Sequence, residues 1–416
     1  MAVNRLRQKL GRARKLAKDE GIRNLFGYVA QRAALKLLTR EPAGGMLVDS
    51  LDVSDVDWTE PAERFEHPTT VAEGPVKIAW IMSPPGKESG GHQNLFRFIN
   101  FAEQAGHDCT IYLYDNVGAA PTLAATKAML RESSAYPNLR AEIVEYDREA
   151  GVRADTQALF ATGWETAYPA YRDASSARRF YFVQDFEPLF YPLGSQALLA
   201  ENTYKFGFHG ITAGGWLKHK LSTDYGMPCD SFDFAVDKTH YSVTNRGKRN
   251  EIFFYARPVT PRRAFELGIL ALSEFARMRP DVTINLAGWD VSEFNIPFKH
   301  NNLASMEIDQ LNAVYNRCGA GLVLSLTNMS LLPLELMSAG VTPVVNDGPN
   351  NRMVSDNENI EYVQPSPRLI AKTLVDVLER PDAIERSIAM SASVEDVDWA
   401  DSGTQFVDAF ERAMRG

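Results

Sequence analysis

The stretch AGLVLSLTNMSLLPLELMSAGVTPVV, residues 320–345, decides the fold. Ala320 to Leu326 is an apolar run of the kind a parallel strand shows when both of its faces are covered. Thr327 to Ser330 reads as a turn, with Ser330 as the N-cap of a helix starting near Leu331. Pro333 falls in the first turn, where a missing N–H costs nothing. Gly340 closes the helix and VTPVVND follows as the next strand. Strand, turn, short helix and parallel strand are the unit of a doubly wound sheet.

One acid stands inside this apolar helix. Glu335 has Leu331, Leu332, Leu334, Leu336, Met337 and Ala339 around it. An unpaired buried carboxylate costs several kcal/mol, so Glu335 has a partner or a ligand. It lies just past the C-terminal end of a parallel strand, where open α/β sheets bind ligands. The N–H groups at Ser330, Leu331 and Leu332 suit phosphate, and a carboxylate one turn on suits sugar hydroxyls. The plain alternative is a side chain that slips out to solvent beside Ser338.

The segment TNMSLLPLELMSAGVTPVVN resembles the donor-binding part of the GT-B glycosyltransferases of family 4. The likeness is greatest to the rhamnosyltransferase branch that builds bacterial surface glycans, through Ser330, Pro333, Leu334, Glu335, Met337 and Gly340. It extends over roughly residues 76 to 390. Most of that family carry two glutamates eight positions apart. Glu335 matches the second, and Thr327 stands in place of the first.

A chain of 416 residues, 45% apolar and 23% charged, suits a soluble protein of two ordinary domains. Its three cysteines, Cys109, Cys229 and Cys318, lack metal-ligand spacing and suggest a reducing compartment. No apolar run is long enough to span a membrane and no signal-peptide pattern opens the chain, so the expected location is cytoplasmic. Residues 1–40 hold eleven Lys or Arg against two acids, or +9; with −9 overall, the rest carries −18. Such an acidic body argues against nucleic acid as a partner.

Residues 1–40 read as a basic helical extension with a loose apolar stripe from Leu6 to Leu37. Residues 3–40 suit peripheral contact with an anionic membrane at the inner face of the cell membrane. They equally suit packing on the body or on a second subunit of a homodimer. Residues 41–75 read as a linker. From there strands and helices alternate. A first domain is expected over 76–243, a second over 244–392, and a C-terminal helix over 393–416 that crosses back to the first. FAVDKTHY (234–241) resembles the family's interdomain crossing. The fold class is thus α/β: GT-B, two Rossmann-like doubly wound domains facing across a cleft, plus the N-terminal helical extension.

Candidate site residues cluster at strand ends. In the first domain VKIAWIMSPP leads to Gly90 and Gly91, which bring backbone close to a ligand, and to His92, a candidate acceptor contact. Asp185 and Glu187, after RFYFVQD, are candidates for gripping acceptor hydroxyls or taking the acceptor's proton. Trp164, Tyr168 and Tyr171 offer a stacking wall for a sugar. In the second domain Arg257 leaves a buried strand, and Arg262 and Arg263 open the next helix. The resemblance assigns Arg257 and Arg262 to the donor pyrophosphate. Two guanidiniums can hold phosphate oxygens and stabilise a departing nucleoside diphosphate. Residues 299–306 are read as a loop facing the nucleobase, and 346–352 as a polar loop on the same cleft.

The resemblance implies a retaining transferase with a nucleoside-diphosphate sugar, dTDP-L-rhamnose in the nearest branch, as co-substrate. Its acceptor is a glycan or lipid-linked glycan. No His/Cys/Asp/Glu cluster with divalent-ion ligand spacing is read from the sequence, so no metal or other cofactor is expected. Two alternatives stay open: a GT-B nucleotide-sugar epimerase or hydrolase, and a non-catalytic nucleotide-binding partner subunit.

Overall fold

The computed structural model describes residues 46–416 apart from 55, 60–64, 66–68, 88 and 116–119. The basic extension expected over 1–40, with its membrane and dimer readings, lies outside the described residues. So does part of the linker expected over 41–75.

Among the described residues two wholly parallel sheets form. The first has strands β1 (Lys77–Met82), β2 (Asp108–Leu113), β3 (Glu142–Glu145), β4 (Ala158–Ala161), β5 (Arg178–Val183), β6 (His209–Ala213) and β7 (Cys229–Phe232). Their order is β3-β2-β1-β4-β5-β6-β7. The second has β8 (Glu251–Tyr255), β9 (Thr283–Ala287), β10 (Asn301–Ala304), β11 (Cys318–Val323), β12 (Thr342–Asn346) and β13 (Glu361–Val363), ordered β10-β9-β8-β11-β12-β13. Each order reverses beside its first strand, between β1 and β4 and between β8 and β11. Those are the points where a crevice opens at the strands' C-terminal ends. Central strands are apolar throughout because helices cover both faces. Ile78, for example, pairs with Cys109 on one side and Ala158 on the other.

Five helices matter for the site: α1 (Gly90–Gln104), α2 (Trp164–Arg172), α3 (Phe265–Met278), α4 (Leu332–Ser338) and α5 (Trp399–Arg415). Helix α5 packs on the first sheet although the second domain precedes it in the chain. Its Phe406, Phe410 and Met414 share one apolar core with Trp80, Phe98, Phe160 and Phe182. Trp80 and Phe160 stack with centroids 4.1 Å apart, and Phe406 lies 6.2 Å from each. Rings in such offset and edge contacts add to the area they bury.

Helix α4 is set on the second sheet by two glycines. A Cβ on Gly321 of β11 would stand 2.5 Å from Leu336 Cδ1, so only glycine lets the helix lie this close. Gly340 has φ +73°; its N–H bonds Met337 O (2.8 Å) and the N–H of Val341 bonds Leu336 O (2.8 Å). This paired closure ends α4 and turns the chain into β12. The segment 299–306, read as loop from its polar residues, contains edge strand β10. Its Asn301 pairs with Asn285 in an otherwise apolar neighbour. No helix among the described residues is long and apolar enough to cross a membrane.

Candidate functional site

The C-terminal ends of the two sheets meet, and most of the singled-out residues stand at that seam. On the second domain, Arg257 follows β8 and its Nη1 donates to the Tyr255 hydroxyl (3.2 Å). A 3-10 turn, Pro261–Arg263, comes next, and Ala264 at φ +49° starts α3. Such a backbone in a residue other than glycine is strained, a cost met most often at ligand sites. The turn is tied to the end of β11: Leu326 N–H donates to Arg262 O (2.9 Å), and Arg263 Nη1 donates to Ser325 Oγ (2.7 Å). Burial pushes the Arg263 guanidinium down, Asp185 holds it up, and Arg262 and Arg257 push it down again. Three cationic heads therefore converge on one place. Sequence reasoning placed Arg263 only at a helix start; it is in fact turned inward.

Asparagines fix the loop after β11. Ser325 O accepts from Asn346 Nδ2 (2.9 Å), Asn350 Nδ2 (2.9 Å) and Asn351 Nδ2 (3.2 Å), while Ser325 N–H donates to Asn346 Oδ1 (2.7 Å). A loop with this many amide ties is rigid before any ligand arrives.

Ser330 is not the N-cap of the helix. Leu331 already has helical angles, φ −67° and ψ −20°, so α4 runs from Leu332 and Ser330 stands one residue outside the cap. Its Oγ has no hydrogen-bond partner among the described residues. With seven residues α4 has only a short dipole, so charge at this corner rests on the arginines. Glu335 does not face bulk water. Burial pushes its carboxyl up to about 7, against hydrogen bonds with Tyr241 and Tyr315 and the charge of Arg97. Tyr315 also senses Tyr255, the residue that holds Arg257. Tyr315 and Tyr255 belong to the same apolar cluster as the buried face of α4.

The first domain departs more from expectation. His92 is engaged at both ring nitrogens, Nδ1 with Ser89 Oγ (2.7 Å) and Nε2 with Ser83 O (2.9 Å), and burial lowers its pKa. These bonds pin the β1–α1 turn, with the ring half-buried. Gly90 opens α1, and Gly91 O accepts from Gln184 Nε2 (3.1 Å) at the seam.

Trp164 and Tyr168 form no stacking wall. Both are buried in the core under α2, with Trp164 Nε1 donating to Tyr191 Oη (3.0 Å) and Tyr168 Oη to Leu199 O (2.9 Å). Glu187 is buried too, accepting from Trp164 N–H (2.6 Å) and Tyr181 Oη (3.0 Å). Burial, then the nearby Glu165, push its carboxyl up to about 8. It is a core acid kept neutral near pH 7, out of an acceptor's reach.

Asp185 is likewise not free to take a proton from an acceptor, because both of its oxygens are in use. Oδ1 accepts from Phe186 N–H (2.8 Å) and from Asn328 N–H (2.9 Å). Oδ2 accepts from Thr327 Oγ1 (3.0 Å) and faces Arg262 Nε at 3.1 Å. The Arg262 guanidinium also lies 4.1 Å over the Phe190 ring. Asn328 Nδ2 reaches the other way, to Gln184 O (3.1 Å) and Ala213 O (2.8 Å). The two arginines that the resemblance assigns to the pyrophosphate thus have different partners in this structure. Arg257 stays within the second domain, and Arg262 is committed to the first. No His, Cys, Asp or Glu cluster able to hold a metal occurs among the described residues.

Comparison with known proteins agrees with this fold. The protein shares its fold with HepE of Anabaena, solved with UDP and glucose, at a TM-score of 0.61 and 13% identity, over 81% of this chain and 100% of that one. A TarM variant of S. aureus, solved with fondaparinux, alpha-GlcNAc-glycerol and UDP, superposes at a TM-score of 0.63 and 7% identity, over 82% and 100%. With two parallel-sheet domains of this order, the fold is GT-B.

Residues 250–375 match the family described as WsaF, C-terminal domain. Over 317 residues the chain is 31% identical to the O-antigen biosynthesis protein RfbC of Myxococcus xanthus, covering 74% of this chain and 25% of that protein. The chain thus spans about a quarter of the length of this curated relative.

Proposed function

We propose that the protein is a glycosyltransferase of bacterial surface-glycan assembly, with the nucleoside-diphosphate sugar on the second domain and the acceptor on the first. The observation that carries this reading is the meeting of Arg257 and Arg263 with the amide-tied 325–330 loop at the β8/β11 reversal. A nucleoside diphosphate leaves as a multiply charged anion, and preset cations are the largest aid a protein gives such a departure. In this reading Arg257 binds the diphosphate and stabilises it as it leaves. The backbone from Ser330 to Leu332 adds N–H groups, and Glu335 receives the ribose hydroxyls. The first-domain contribution is the β1–α1 turn with Gly90 and Gly91. Likeness to an O-antigen biosynthesis protein supports a surface glycan as the acceptor class.

The specific form of the proposal is transfer of L-rhamnose from dTDP-L-rhamnose with retention of configuration, as the family 4 resemblance implies. Peripheral attachment through the basic segment 3–40 belongs to the same proposal, as does a homodimer.

A thermal-shift panel of UDP, dTDP, GDP and their sugars tests the donor assignment. Ligand at 100 times its Kd adds about 2.7 kcal/mol of stability. One nucleotide should stand out, and its sugar should then be transferred to surface-glycan fragments in a mass-resolved assay. No response to any nucleotide would overturn the reading.

A further inference from the structure

The set of groups that the second domain offers to Asp185 is unusual for a domain seam. A hydroxyl (Thr327 Oγ1, 3.0 Å), a backbone N–H (Asn328, 2.9 Å) and a guanidinium (Arg262 Nε, 3.1 Å) converge on one carboxylate that belongs to the other domain. Hydroxyl, amide and guanidinium together are what a phosphate oxygen recruits. Thr327 and Asn328 are buried, as is Asp185, so this is an enclosed polar site and not a surface ion pair. The Arg262 Nε–H is close to Asp185 without being aimed at it, and no other hydrogen-bond partner takes it among the described residues. The guanidinium is stacked on Phe190, so its place is fixed while its donor capacity is only part used.

We infer that Asp185 is a positioning residue acting as a built-in anion: it fills an oxyanion site made by Arg262, Thr327 and Asn328 and so withholds Arg262 from the donor. The inference rests on the donor reading of the second domain and adds to it a competition. While Asp185 is seated, the anionic donor meets Arg257 and Arg263 next to a fixed negative charge. When Asp185 leaves, Arg262 turns from the seam to the phosphate. The ligand class is phosphate or pyrophosphate, free or as the diphosphate of a nucleotide. Because the contacts of Asp185 cross from one domain to the other, its departure also loosens the seam.

Titration of the full chain with inorganic pyrophosphate, UDP and dTDP, by calorimetry, tests this. Asp185→Asn should bind pyrophosphate at least about tenfold tighter than wild type, the scale of one charged hydrogen bond regained. The gain should vanish in the Asp185→Asn, Arg262→Ala double variant. Asp185→Glu, which keeps the carboxylate, should stay near wild type. Asp185→Ser provides a second neutral variant should the amide fail to fold. Equal or weaker pyrophosphate binding by the neutral variants would overturn the inference, as would a gain that persists without Arg262.

In wild type, hydrogen exchange over residues 184–190 should quicken when UDP or dTDP saturates the site, and slower exchange there would count equally against it. A wild type that ignores every nucleotide, beside an Asp185→Asn that gains pyrophosphate, would leave the oxyanion site standing and remove the donor assignment instead. Tighter pyrophosphate without tighter nucleotide would mark the site as one for free phosphate.

Discussion

Arg97 of α1 and Glu335 of α4, one from each domain, stand close enough that the guanidinium charge restrains the proton affinity of the carboxyl. Arg97 is itself held flat, 4.0 Å over the Trp399 ring of the last helix, with Nη1 on Asn94 Oδ1 (3.3 Å). The acid at the heart of the second domain is therefore tuned by the first domain and by the C-terminal helix together. Local sequence around Glu335 could not reveal this.

A pH dependence of stability follows. Burial raises Glu335 from 4.5 to about 7, so the folded state holds this proton more tightly than the unfolded chain. Stability should fall as pH rises from 4.5 to about 7 and level off above. The slope integrates to about 3–4 kcal/mol at most. Glu335→Gln should remove most of it. Glu187 contributes a slope of the same sign up to about 8, which should remain in that variant. Denaturant midpoints between pH 5 and 8 would show both. Burial lowers His92, His107 and His209 and gives them a slope of the opposite sign, so the readout is the difference between the two proteins. A wild-type slope equal to that of Glu335→Gln would contradict the burial of Glu335.

Loss of Arg257 should strike turnover. Arg257→Ala is expected to lower kcat/KM for nucleotide-sugar transfer about 100-fold or more, the range for removing one group that stabilises developing charge. Circular dichroism should be unchanged, since Arg257 is only half-buried and its recorded bond is to a neighbouring side chain. Transfer at the wild-type rate would exclude Arg257 from the chemistry.

Removal of the Asn328 amide should be felt as stability. Asn328→Ala leaves Gln184 O and Ala213 O without this donor at a buried seam. The expected cost is about 1–3 kcal/mol. Urea unfolding read by tryptophan fluorescence measures it, and a change below a few tenths of a kcal/mol would mean that the two carbonyls find other donors.

A methyl group on Gly321 tests the seating of α4. Gly321→Ala places a carbon against Leu336, which is wholly buried and has no room to retreat. About 1–3 kcal/mol of overpacking is expected, together with weaker nucleotide binding as Glu335 is displaced. Full stability with full binding would show that the helix has slack.

The second sheet was largely legible because β8, β11 and β12 are apolar runs with turn residues after them, and Gly340 falls where a left-handed residue is required. Strand β10 was not, because NNLA has neither β-branched residues nor alternation and lies at the sheet edge. Trp164 and Tyr168 were misplaced because an aromatic residue after a strand end packs inward or faces a ligand with the same spacing. Only the fold decides which.

The helix start moved because Leu331 adopts helical angles that the preference of serine for caps does not forbid. Asp185 follows β5 as the sequence suggested, but the acceptor role expected of it takes no account of its partners. Its partners lie 142 and 143 residues away in the other domain, so no local pattern announces that its oxygens are taken.

The position of α5 has a practical corollary for anyone exchanging halves between related chains. The first sheet is covered by Phe406 and Phe410, which the ribosome delivers only after the entire second domain. A chimaera cut once between the sheets would give one parent's sheet the other parent's lid. Two cuts, with the terminal helix travelling with the amino-terminal half, keep every ring in its native stack. Until synthesis reaches that helix, the nascent first half exposes the apolar surface it will later hide, and is a natural client for chaperones.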